Sequence, residues 1–192
     1  MVSSVPIPFR DQDELDEWGT AAYLRLEAEE GRAAYRGALF QINARGEPVE
    51  FTYNRVETPN TFLWRPADVR RAALKRLTAS LLEACPRVPY MLLGLAEEVP
   101  SELFCQDLRL ALPVCRVAPA LHAISYSTLE AAEVVEQDQP AHLFWYPAAP
   151  AAGSPERRLA DHLIRHGLLV EPFERAAVGL REVYGEIGLV RS

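Results

Sequence analysis

Residues 39–57, LFQINARGEPVEFTYNRVE, constrain the fold more than any other stretch, because two runs of period two meet at Ala44-Arg45-Gly46-Glu47. Val49, Phe51 and Tyr53 fall on one side of the second run and Glu50, Thr52 and Asn54 on the other. Only an extended strand keeps such residues on fixed faces. Asn43, Arg45 and Gly46 read as turn residues, since glycine accepts positive φ and asparagine bonds to its own backbone. An earlier run sets Leu24 and Leu26 against Tyr23, Arg25 and Glu27, and is broken at Glu29-Glu30-Gly31-Arg32. Together the runs predict a β-meander. The polar residues of the hairpin are then its wet side, and only Glu47 and Arg55 keep a claim beyond structure.

Downstream, Pro66 fits the first turn of a helix that Cys85-Pro86 ends, with Val69, Ala73, Leu77, Leu81 and Ala84 as its apolar stripe. Residues 88–96 are continuously apolar and predict a central strand. Residues 100–106 read as one helical turn. Residues 108–117 read as a strand interrupted at Pro113, and 142–146 as another. A short acidic helix or capped turn is expected near Asp11 to Trp18, while 124–135 fits helix or strand. Pro147, Pro150, Gly153 and Pro155 bar regular structure before Ser154 caps a helix ended by Gly167, and Pro172 opens a second ended by Gly185. The expected class is α+β: an antiparallel, meander-type or mixed sheet covered by a long helix, with a C-terminal helical pair. The expected division is a sheet domain over 1–147, with a Pro-rich linker and helical pair over 148–192 packed on it.

At 192 residues, 49% hydrophobic and 24% charged, the chain has the composition of a globular protein with a real core. No apolar run reaches the ~18 to 20 residues that cross a bilayer, and Met1-Val2-Ser3-Ser4-Val5-Pro6 lacks the pattern of a signal peptide. The cytoplasm is the expected location, with no membrane partner. Cys85, Cys105 and Cys115 are odd in number and set in apolar surroundings, as buried free thiols are. A formal net charge of -7 disfavours nucleic acid without excluding a local site. Lys75 is the only lysine, and no Gly-rich loop precedes it, so Schiff-base and P-loop chemistry are set aside.

His162 and His166 are spaced to share one side of a helix, as two metal ligands would be, but no H-E-x-x-H motif surrounds them. The helix dipole explains histidines at that end without a metal, so no metal and no cofactor is expected. Arg65, Arg70, Arg71, Lys75 and Arg76 make the one strongly basic segment, a face for phosphates or for an acidic partner, or simply a solvated face. Trp64 and Trp145 are candidate interface anchors. Serines lie in no G-x-S-x-G elbow. Glu97-Glu98, just after the central strand, is the most interesting acidic pair, because ligand sites gather beyond strand carboxyl ends.

A nuclease reading of Glu47, Glu50 and Arg55 lacks the expected lysine and ranks low. The chain is therefore expected to be a non-catalytic interaction or accessory subunit, with a protein partner or a second copy of itself. One alternative is an enzyme or small-ligand binder with a pocket at the sheet edge, using some of Glu47, Glu50, Glu97, His122 or His142. A second is a nucleic-acid-associated accessory protein using the helix from Arg65 to Arg76.

Overall fold

A computed structural model describes residues 17–29, 33–58, 62–119, 134–136 and 141–185. Most of the helix expected over 11–18, the stretch 124–133 and His122 lie outside these residues. The strands are β1 (Thr20–Ala28), β2 (Ala34–Asn43), β3 (Pro48–Glu57), β4 (Met91–Leu95), β5 (Val114–Pro119), β6 (Val134–Glu136) and β7 (Ala141–Tyr146). The helices are α1 (Pro66–Ala84), α2 (Pro155–Arg165) and α3 (Glu171–Val183), with a π-helical turn over Leu103–Asp107. The seven strands form one sheet in the order β3-β2-β1-β4-β5-β7-β6. β1, β2 and β3 pair antiparallel, β4 lies parallel to both β1 and β5, and β7 is antiparallel to β5 and β6. The α+β class holds, with a mixed sheet.

Asn43 closes the β2–β3 hairpin. Its Oδ1 accepts from the amides of Arg45 and Glu47, both at 3.0 Å, while Gly46 takes φ +80°. Glu47 returns to the same turn, accepting from Asn43 Nδ2 at 2.7 Å. Both residues are turn chemistry.

The meander's alternation has a different consequence from the one expected, because helices cover both faces of the sheet. Leu24, Leu26, Leu39 and Leu92 meet Leu74, Leu77 and Leu81 of α1. On the opposite face Tyr23, Phe40, Ile42 and Trp145 meet Leu159 and Leu163 of α2 and Phe173 and Ala176 of α3. The C-terminal helical pair is thus one wall of the core. Its apolar stripe repeats every three to four residues, so one face of each short helix is buried and the other stays charged. Ser154 caps α2 by accepting from the Arg157 amide at 3.1 Å.

Gly37 shows how tightly the α1 face is packed. A Cβ there would lie 2.7 Å from the Arg25 carbonyl oxygen and 3.2 Å from Leu77 Cδ2. Only glycine lets β2 approach β1 and α1 at that point.

Candidate functional site

Ligand sites in open α/β sheets gather beyond the carboxyl ends of parallel strands, where successive connections leave in opposite directions. Here β1 is that strand. Its chain neighbour β2 lies on one side, and β4, reached through α1, lies on the other. On the face covered by α2 and α3, β1 presents Ala21, Tyr23, Arg25 and Glu27 in turn. Tyr23 stands edge-on to Phe173 with ring centroids 5.0 Å apart, and its hydroxyl donates to the Leu168 carbonyl. Burial drives the Tyr23 phenol far above its ordinary range. Beyond Tyr23 the residues that β1 presents to this face are charged. Arg25 Nη1 donates to the Phe173 carbonyl at 3.2 Å.

Glu98 completes the cluster from the turn after β4. That turn folds back because Gly94 has no side chain where Val99 packs: a Cβ there would sit 2.7 Å from Val99 Cγ2. Arg116 of β5 clamps it, donating through Nε to the Val99 carbonyl at 2.7 Å. So held, Glu98 takes the Arg25 guanidinium at 2.7 Å on Oε1 and the Leu26 amide at 3.1 Å on Oε2. Glu27 accepts from Arg25 and, from β2, Arg36, both at 3.1 Å. The Arg36 guanidinium also lies 5.8 Å from the Tyr184 ring centroid. Two carboxylates and two guanidiniums therefore alternate across three strands, each only 13–22% exposed.

Burial pushes the Glu98 carboxyl up to about 7, against the pull of Arg25 and the Leu26 amide, with Glu27 and Glu97 adding to the rise. A carboxyl with a folded pKa above its ordinary value binds its proton more tightly when folded. Stability then falls as pH rises through the window from its ordinary 4.5 to about 7. The expected loss is on the order of 2 kcal/mol at one unit per 1.36 kcal/mol, reduced for the partial exposure. Denaturant titrations at pH 5 and pH 8 are expected to show it in the wild type, and Glu98→Gln is expected to flatten that part of the dependence.

The other candidates are scattered. His162 and His166 do come together, with rings stacked at 4.0 Å, yet each spends a ring nitrogen on a carbonyl: His162 on Ala44 and His166 on His162, both at 2.9 Å. Burial, then the neighbouring His166, lowers the His162 pKa. Arg71 forks onto Asp107 at 2.8 and 2.9 Å, and Arg65 onto Asp68 at 2.7 and 3.1 Å. Arg70, Lys75 and Arg76 are exposed on α1. Trp64 is 66% exposed, but Trp145 is 1% exposed and belongs to the core, so it cannot be a surface anchor. Arg55 is held by Glu29 and Glu57. Glu50 sits opposite Gln41 at the outer strand, and His142 opposite Ala118 on β7. Glu97 is exposed beside Glu98. Cys115 is buried, while Cys85 and Cys105 are only half-buried.

Nucleases often clamp the phosphate between two metal ions held by carboxylates. Among the described residues no group of three or more His, Cys, Asp or Glu is gathered to hold a metal. In the cluster at β1 the carboxylates face guanidiniums instead, so this donor set does not fit a metal centre. Sequence reasoning missed Arg25 and Glu27, whose alternation read as one face of a strand, and Arg36, which no pattern singled out. The available signal was Glu97-Glu98 directly after the central strand.

No protein-family model and no curated protein sequence matches the chain. Solved structures do. Endonuclease V from Streptomyces avermitilis is similar over 93% of this chain and 92% of its own, at 12% identity and a TM-score of 0.53. Endonuclease V from Bacillus subtilis is similar over 87% of this chain and 81% of its own, at 12% identity and a TM-score of 0.50. At these identities the likeness is one of fold. It overturns the expectation of a non-catalytic accessory subunit, since the architecture over nearly the whole chain is the one these two endonuclease V structures have.

Proposed function

We propose that the protein is a phosphodiester hydrolase acting on nucleic acid, with the reacting phosphate placed over Arg25, Glu27, Arg36 and Glu98. The observation that carries this reading is the Arg25–Glu98 pair at the carboxyl ends of two central parallel strands, 2.7 Å apart. The endonuclease V likeness supports the choice of substrate class.

Each residue has a role suited to its chemistry. Glu98, with its carboxyl near neutrality, takes a proton from water, since a general base works best with a pKa close to the operating pH. The water oxygen attacks phosphorus, the bond to the departing oxygen breaks, and that oxygen takes a proton from solvent. Arg25 and Arg36 supply fixed positive charge toward the phosphoryl oxygens. Glu27 holds both guanidiniums in place. No helix among the described residues is long and apolar enough to cross a membrane, in keeping with a substrate met in water.

End-labelled single- and double-stranded DNA and RNA, incubated with divalent ions and separately with a chelator, test the reading. Cleavage is expected in both conditions. No cleavage of any substrate in either condition would overturn the proposal, and cleavage confined to the divalent-ion arm would move the chemistry away from this cluster.

A further inference from the structure

The exposed segment between β3 and α1 has no part in the cluster just described. Phe62, Leu63 and Trp64 are 85%, 82% and 66% exposed, three large apolar side chains in a row. Behind Trp64 lies a groove of about 170 Å³, walled by Val56, Val69, Ala72 and Ala73, with Arg76 at its rim. A second hollow shares Trp64 and Val69 and runs past Phe62 to Tyr35. The groove begins at the carboxyl end of β3. Val56 there stands opposite Tyr35, one position on from the row in which Arg36 pairs with Arg55 and Glu27. It therefore lies at the same end of the sheet as Arg25 and Glu98, on the face that α1 covers.

We infer that this groove is a subsite for single-stranded nucleic acid, in which an unpaired base stacks on Trp64 while Arg76 faces the flanking phosphate. The inference rests on the hydrolase reading and names the form of its substrate. An aromatic plane beside a cation is the pairing that holds single strands, because every base has a π-face and every step a phosphate. Glu57 and Asp68 are already paired, with Arg55 and Arg65 respectively, both at 2.7 Å. Arg76 is exposed and forms no ion pair among the described residues. A duplex buries its base faces in its own stack and gives Trp64 nothing to stack on.

Fluorescence anisotropy with a fluorescein-labelled single-stranded oligothymidylate of about a dozen nucleotides, a length within known single-strand site sizes, tests the subsite. Trp64→Ala is expected to weaken binding about 5- to 100-fold, the effect of losing one stacked base. Trp64→Phe is expected to restore most of it, and Arg76→Glu to weaken binding and lower the salt dependence. Trp64 is largely exposed, so circular dichroism and melting temperature are expected to stay near wild type in all three variants. Trp64-dependent binding of the single strand without cleavage would support the subsite while removing the hydrolase reading. Cleavage with wild-type affinity in Trp64→Ala would overturn the subsite and leave the hydrolase standing. No binding of the single strand by the wild type overturns the subsite and leaves the hydrolase reading to its cleavage assay, as does a concentration-dependent dimer that Trp64→Ala abolishes, which would assign the patch to a second copy of the chain.

Discussion

Trp145→Ala is expected to cost about 3–5 kcal/mol of folding stability, the range for emptying a fully buried large aromatic. Trp145 lies on β7 opposite Cys115 of β5 and Val134 of β6, and packs in the core that α2 and α3 cover. The expected loss is a large fraction of the ~5–15 kcal/mol that holds an ordinary domain together. Trp145→Phe is expected to be far milder. The indole Nε1 is buried and has no hydrogen-bond partner among the described residues, so phenylalanine deletes a group that gained nothing from folding. Urea unfolding of the three proteins checks this. A loss below about 1 kcal/mol for alanine would mean that the site is not packed as described, since truncations of this kind cost several times that.

Glu98→Gln is expected to reduce cleavage by roughly 10²- to 10⁴-fold, the usual contribution of a general base. Glutamine keeps one oxygen, enough for the Leu26 amide, and sets its NH2 toward the Arg25 guanidinium, so the variant removes the base and its ion pair together while the bond to β1 stays. The accompanying pH profile is the sharper test. With the wild type, activity is expected to rise on an acid limb centred on about 7, where Glu98 gives up its proton. Residual activity in Glu98→Gln is expected to lose that limb. A limb that survives unchanged would mean that another group is the base.

Much of the architecture was legible from local pattern. The meander followed from period two and the Asn43–Gly46 turn, α1 from Pro66 and the stripe through Leu77 and Leu81, and the last two helices from Ser154, Gly167 and Gly185. What local pattern hides is the second layer of cover. In β1, Tyr23 and Leu24 are both buried, because helices distant in sequence pack on opposite faces of one strand. Placing Tyr23, Arg25 and Glu27 on one face of a strand therefore did not reveal that the first is core and the next two close the sheet end. The same limit kept the site from view. Arg25, Arg36 and Glu98 belong to three strands or their ends, and no spacing in the chain brings them together. Trp64 and Trp145 have similar neighbours in sequence and opposite fates in the fold. Trp64 sits where β3 has ended and α1 has not begun; Trp145 sits in β7, in the core that α2 and α3 cover.

The β1–β4 seam also has a consequence for the order in which the chain acquires its parts. β1, β2 and β3 follow one another within a few residues and close with little loss of chain entropy, whereas β4 must return across the whole of α1 to reach β1. The Glu98 contact with Leu26 spans 72 residues and bridges that seam. An early meander can exist with Arg25, Glu27 and Arg36 already aligned while the carboxylate that completes them is still absent. The charged cluster is thus born in two halves, and any opening of the sheet between β1 and β4 parts the pair before it disturbs the hairpin.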